Sequence, residues 1–515
     1  MSRSVSRRTL LLVLAFAFLL TSRAGAQTKP FAIQVVDDQA GRGVPLVELR
    51  TVNNVRFYTD SAGLVAITDA TLLNRRVFFS VTSDGYEFPK DGFGYRGVAI
   101  DLKSGGESTL KIKRLDIAER LYRITGDGIY RDSVLLGRPA PVRQPISNAQ
   151  VAGQDSCQAA VFDGKIRWFW GDTSRLSYPL GHFGTAGATS LLPGSGGLDP
   201  SVGIDLTYYV GNDGFSRPTF PPDGAHPQWL DGLVVVKDDR GKDRLIGRVS
   251  RMKDLGECMS RSLVVFDDRA GKFESLIDLP LDTPLALRGH PFIVQEDQTS
   301  YIYCGDCFPN VRVKSDWASV KNPAQYEAFT CLVPGARYEM DHPQLERDAA
   351  GRLVWGWKRE TATVGPRELA ALIRRGTLKP DEACFQPLDV DTRKPIFLHG
   401  GSVAYNAFRK KWIMIAVQFH GSSSELGEVW YSEADKPEGP WRWARKVVTH
   451  DHYSFYNPVH HPFFDQQGGR VIYFEGTYSN TFSGNDRPTP RYDYNQMMYR
   501  LDLSDPRLTM PRSGT

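Results

Sequence analysis

The sequence predicts an all-β chain: a small β-sandwich followed by a five-bladed β-propeller. Three observations carry this. Residues 30–115 read as short β-branched and apolar strands separated by turn signals. From about residue 150 one plan recurs five times: an apolar strand, a polar turn, then a second apolar strand ending in a polar cluster. The 515 residues suit two or three domains, and a 41% hydrophobic fraction with 10 Trp, 21 Tyr and 27 Phe can fill large cores.

The N-terminus reads as an address. Arg3, Arg7 and Arg8 precede the apolar run Leu10–Leu20, and Ala24-Gly25-Ala26 is a small-x-small cleavage site before Gln27. That order predicts a secretory signal peptide over 1–26 and a periplasmic or secreted bacterial protein. Ser6-Arg7-Arg8-Thr9-Leu10-Leu11 also resembles a twin-arginine export signal. The apolar run is shorter than the roughly 20 residues of a spanning helix, so no stable membrane insertion is expected after its removal. The leader holds four of the 63 Lys and Arg and none of the 59 Asp and Glu. The formal charge of +4 therefore belongs to the leader, and the balanced remainder has no bulk attraction to nucleic acid or anionic lipid.

Within 30–115 the predicted strands are Phe31–Val36, Val44–Arg50, Val55–Tyr58, Leu64–Ile67 and Val77–Val81. Ser61-Ala62-Gly63 and Ser83-Asp84-Gly85 mark turns between them. Two stretches, Val36-Asp37-Asp38 … Gly43-Val44-Pro45-Leu46-Val47-Glu48-Leu49 and Thr59-Asp60-Ser61-Ala62-Gly63, resemble the transthyretin-like, carboxypeptidase-regulatory sandwich domains. A short helical stretch is expected near Ile117–Leu121, and the propeller is expected over 126–510.

The five repeated units are Gln154–Thr173, Trp229–Met252, His290–Cys307, Gly401–Gln418 and Val459–Thr477. Their second strands look alike: Trp168-Phe-Trp-Gly-Asp172, Tyr301-Ile-Tyr-Cys-Gly-Asp306 and Val471-Ile-Tyr-Phe-Glu475. Further strand-like text follows each, such as Leu263–Asp267, Val429–Ser432 and Met498–Asp502, which makes four strands per unit. An insertion over Pro309–Asp391 is expected to lengthen the third unit. A pair of ordinary β-sandwiches is the competing architecture.

The first unit carries the sharpest chemical signal. Asp163-Gly164 between apolar runs predicts a two-residue hairpin loop, so opposed residues have numbers summing to 327. Val161 then faces Ile166, Ala159 faces Trp168, Cys157 faces Trp170, and Asp155 lies opposite Asp172. Like charges across a ladder destabilise it, which a purely structural hairpin would avoid. Crowded, partly desolvated carboxyls hold one proton between them, as glycoside hydrolysis requires. A cross-strand separation of about 5 Å at Cβ suits a retaining pair. An edge pair splayed into solvent or held by an Arg is the bland alternative.

Asp155 … Asp163-Gly164-Lys165 … Phe169-Trp170-Gly171-Asp172-Thr173 resembles the first blade of secreted endo-D-arabinanase-type propellers, within the arabinanase- and invertase-like glycoside hydrolases. Ser432 … Gly439-Pro440-Trp441 also resembles text in arabinanase-like blades. The resemblance implies that Asp155 and Asp172 are catalytic carboxylates and that an arabinofuranosyl-containing polysaccharide is a candidate substrate. Asp155-Ser156-Cys157 departs from the Asp-Leu-Gly commoner in that family, which bears on the substrate rather than the fold.

In every unit the first strand's start and the second strand's end share one end of the hairpin. This places His290, Asp306, His460, His461 and Glu475 near the aspartates, with Asp306 and Glu475 as reserve acids. Trp170 and Arg491, with Tyr456-Asn457 and Tyr492–Tyr494, suit sugar stacking and hydroxyl binding. His290-Pro291 and His461-Pro462 could equally be satisfied core histidines. Of the six cysteines, Cys304-Gly305-Asp306-Cys307 is a lone CxxC without a second pair, so no metal and no cofactor is expected. Gly194–Gly197 lacks a following Lys-Ser/Thr, and no Gly-x-Ser-x-Gly elbow occurs. The expected partner is a polysaccharide or oligosaccharide, not nucleic acid. Two other functions fit the same residues: a polysaccharide lyase using His and Tyr, and a non-catalytic carbohydrate-binding propeller.

Overall fold

The computed structural model describes residues 29–221, 226–254 and 256–511, so the leader expected over 1–26 lies outside the described residues. No described helix is long and apolar enough to cross a membrane.

The N-terminal segment forms two four-stranded sheets. One is ordered Leu64–Ile67, Phe31–Asp37, Glu107–Arg114 and Tyr86–Glu87; the other is Arg56–Tyr58, Glu48–Thr51, Arg76–Thr82 and Gly97–Asp101. Ile33, Val35, Leu49, Phe79, Leu110 and Ile112 fill the space between them. In Glu107–Arg114 the inward Leu110 and Ile112 alternate with exposed charged neighbours, the period-2 signature of a half-buried strand. This sandwich is docked, not tethered. Asp60 Oδ2 accepts from the backbone N–H and the hydroxyl of Ser133, at 2.7 and 2.8 Å. Tyr492 donates to the carbonyl of Thr59 and accepts from the N–H of Leu46. Leu46 itself belongs to the apolar cluster of the last two blades.

Five further sheets make up the propeller among the described residues. Blade 1 is Gln158–Phe162, Lys165–Trp170, Ala186–Leu191 and Thr207–Tyr208. Blade 2 is Gln228–Lys237, Asp243–Met252, Cys258–Asp267 and Lys272–Leu279. Blade 3 is Phe292–Glu296, Thr299–Cys304, Val311–Lys314, Glu327–Thr330 and Gly356–Arg359. Blade 4 is Leu398–Asn406, Lys411–Gln418, Glu428–Ala434, Trp441–Thr449 and, in parallel on its outer edge, Phe385–Asp389. Blade 5 is Ser454–His460, Val471–Ser479, Asn495–Asp502 and Glu119–Arg123. Middle strands such as Lys411–Gln418 are buried on both faces over Ile413–Val417, because each blade packs against a neighbour on either side.

Two sequence expectations need correction. The stretch near Ile117–Leu121 is no helix: Glu119–Arg123 is a fully buried strand on the edge of blade 5. Its local helix preference yields to the ladder offered by Asn495–Asp502. Pro309–Asp391 is also not a simple insertion. It supplies the three outer strands of blade 3 and the outermost strand of blade 4, with the helix Pro366–Arg374 between them.

Candidate active site

The blade-1 hairpin follows the predicted register, with Gln158 opposite Phe169, Ala159 opposite Trp168 and Val161 opposite Ile166. The ladder then breaks and resumes in the same register, Gln154 opposite Thr173. Asp155 and Asp172 lie in the break. Ser156 adopts φ 49°, a left-handed conformation that kinks the strand. Blade 5 holds the kink in place: Thr477 Oγ1 accepts from the Ser156 N–H at 3.0 Å, and Asn457 Nδ2 donates to Ser156 Oγ at 2.7 Å.

Gly171 explains why a glycine precedes Asp172. A Cβ there would lie 2.2 Å from Asp155 Oδ1, so only glycine lets that carboxyl rest on the backbone. The Gly171 N–H donates to the Asp155 carbonyl at 2.8 Å. Tyr456 donates to Asp155 Oδ2 at 3.1 Å, and Tyr494 hydrogen-bonds the same carboxyl. Trp229 Nε1 donates to Asp172 Oδ1 at 3.0 Å. Burial, with the Asp172 charge second, pushes Asp155 up to about 7. Burial also raises Asp172, against the lowering effect of the Trp229 bond. The tyrosines are pushed upward by burial and by these carboxylates, so they remain donors.

The pair opens into a cleft of about 810 Å³ lined by all five blades. Blade 2 contributes Trp229, Asp231 and Arg248; blade 3, His290 and Asp306; blade 4, His399 and Gly400; blade 5, Tyr456, Asn457 and Tyr494. Only the ring axis is within reach of every blade, so the cleft is axial. Asp231 pairs with Arg248 and accepts from the Gly289 N–H at 2.7 Å. Its proton affinity is raised, by burial first, although Arg248 opposes the rise. His290 is lowered to about 4 by burial and by the charge of His461, so it is neutral near pH 7.

Of the residues expected at the mouth, Asp155, Asp172, Trp170, His290 and Asp306 line the cleft. Trp170 is nonetheless only 1% exposed and sits between Trp168 and Tyr208, so it forms floor and offers no stacking face. The more exposed Trp229 and Phe482 have that access.

His460, His461, Glu475 and Arg491 are not cleft residues. Blade 5 begins at Ser454, and its ladder shifts register between Tyr456 and Val459. Tyr456 and Asn457 therefore hold the rim, while His460 and Glu475 lie deeper along the strands. His460 is buried against Asp465 at 2.7 Å, and His461 against Glu475 at 2.7 Å. Arg491 belongs to a separate recess at the sandwich, beside Asp132.

Sequence reading missed Asp231, Arg248, Trp229 and His399. The available signal was positional: Asp231 lies near the start of its unit's first strand, as Asp155 does. Among the described residues, the side chains able to gather round a metal ion are Cys157, His461 and Glu475.

Fold and site define a five-bladed β-propeller with an acidic axial cleft. No family model and no curated protein matches the chain. Among solved structures it is similar to an exo-1,5-alpha-L-arabinanase from a bovine ruminal metagenomic library, with TM-score 0.33, 10% identity, and 68% of this chain and 93% of that chain covered. It is also similar to the GH43_1 enzyme from Xanthomonas citri complexed with xylotriose, with TM-score 0.32, 12% identity, and coverage of 69% and 87%. An N-acetylgalactosamine deacetylase from F. plautii, in complex with blood group B trisaccharide, gives TM-score 0.36, 11% identity, and coverage of 75% and 96%.

Proposed function

We propose that the protein is a glycoside hydrolase that cleaves a polysaccharide in the axial cleft, with Asp155 and Asp172 as its two working carboxyls. One observation carries this reading: two neighbouring carboxyls, each with raised proton affinity, lie in a cleft to which every blade contributes. Near neutrality Asp155 retains a proton and serves as the general acid to the leaving oxygen. Asp172, oriented by Trp229, is the ionised partner that attacks or stabilises the anomeric centre. Tyr456 and Tyr494 hold the Asp155 carboxyl in one orientation, a positioning role. Trp229 and Phe482 offer apolar faces for sugar rings.

An arabinofuranosyl-containing polymer heads the candidate substrates, on the likeness of the Gly171-Asp172-Thr173 segment to the arabinanase-type first blade. Export before action is part of the proposal and rests on the N-terminal 26 residues. The test is turnover on a polysaccharide panel, read as new reducing ends with analysis of product anomers. Activity that persists in Asp155→Asn and Asp172→Asn would remove the pair from the chemistry. A product with an unsaturated, ultraviolet-absorbing end would replace hydrolysis by elimination.

A further inference from the structure

We propose that Cys157, His461 and Glu475 form a site for one thiophilic divalent cation of the zinc kind, held between blades 1 and 5 beneath the cleft floor. The proposed hydrolysis uses none of the three. One ligand atom from each lies within 4.8 Å of the other two, and all three side chains are buried. Thiol, imidazole and carboxylate are together the donor set of a borderline-soft metal, not of magnesium or calcium.

An independent observation concerns Glu475. It is 0% exposed, and its one ion-pair partner among the described residues is His461. Oε1 takes the His461 contact, the buried Oε2 has no nitrogen or oxygen hydrogen-bond partner, and the Cys157 thiol is the other group that hydrogen-bonds this carboxyl. A buried carboxyl held only by an imidazole and a weak thiol donor, with no Arg or Lys, is costly, and a cation bound there removes the cost. The imidazole is already oriented: Trp168 meets His461 edge-on at 5.1 Å, and Phe463 stacks on it at 5.1 Å.

Binding would exchange the His461–Glu475 hydrogen bond for one metal–nitrogen and one metal–oxygen bond. The Cys157 thiol would lose its proton to solvent and bind as thiolate, and the imidazole proton would reside on Nδ1. Cys157 also lines the cleft, two residues from Asp155.

The test uses the full-length protein produced with Co²⁺ in the medium and then dialysed against metal-free buffer. We expect about one cobalt per chain by mass spectrometry, with an intense thiolate-to-cobalt charge-transfer band. Cys157→Ser should abolish the band, and Glu475→Gln should weaken retention roughly tenfold or more. Cys258→Ser, on the cleft rim, should change neither. If Cys157→Ser does not fold, the wild-type stoichiometry and band, with Glu475→Gln, decide. Cobalt below about 0.1 per chain in the wild type, or an unchanged band in folded Cys157→Ser, would overturn the site.

Discussion

The indole of Trp229, on blade 2, donates to Asp172 Oδ1, on blade 1, at 3.0 Å. A carboxyl that its own hairpin would leave at an open edge is thus oriented by the neighbouring blade. The pair is a product of the ring, since blade 5 orients Asp155 in the same way through Tyr456.

Removing either carboxyl should stop the chemistry and spare the fold. Asp155→Asn and Asp172→Asn keep the shape and remove the cost of crowding two desolvated carboxyls, so thermal midpoints should hold or rise. Turnover should fall by about 10²–10⁴-fold, the usual contribution of a positioned acid or base. Paired turnover and melting measurements check this; loss of both together would make the pair structural.

Gly171→Ala should mimic loss of Asp155 without touching it. The new methyl would fall 2.2 Å from Oδ1, and the carboxyl must swing away. We expect turnover to drop by roughly tenfold or more, with a small change in stability, because such misplacement acts on geometry. Unchanged turnover in Gly171→Ala would show that the Asp155 position is not critical.

The pH dependence has a definite sign. Asp155 rises from 3.8 to about 7, chiefly by burial. Between those values the folded protein keeps a proton that the unfolded chain has released. This term therefore favours folding at the acid end of the window and is lost as pH rises towards about 7. Asp116, half-buried where the sandwich meets blade 4 and pushed up to about 7 chiefly by desolvation, acts with the same sign. Denaturation across the window should show a slope that Asp155→Asn reduces and Asp116→Asn/Asp155→Asn flattens further. Hydrolysis should decline above about 7 as the acid ionises.

The sandwich should resist separation. Tyr492→Phe deletes the hydroxyl that bridges Leu46 and Thr59, at an expected cost of about 1–2 kcal/mol read by thermal melting. A chain begun at Gly126 would also lose Glu119–Arg123 and should yield no soluble monomer in size-exclusion chromatography. A stable monomer of that length would show that blade 5 tolerates a bare edge.

What the sequence made legible follows from how local each signal is. Asp163-Gly164 set the hairpin loop, and its register held even past the Ser156 kink, so the aspartates were found. Blade 5 has no such marker. Its register shift after Tyr456 moved His460, His461 and Glu475 away from the rim where simple alternation placed them. Asp231 carried only its place near the start of a strand, since its setting depends on Arg248 and on the Gly289 N–H of another blade. His461 and Glu475 meet within the blade-5 hairpin, whereas Cys157 comes from blade 1, and only ring formation brings it to them.

The strand Glu119–Arg123 is synthesised before every blade and used by the last one. On the ribosome it must wait unpaired until Asn495–Asp502 emerges, and unpaired strand edges invite association with other chains. Long-range pairing of this kind folds slowly. Tyr456, Asn457 and Tyr494 reach the cleft with that same final blade. A prematurely terminated chain therefore lacks ring integrity and an intact cleft at once, so a nascent chain acquires the complete cavity only when almost all of it has been made.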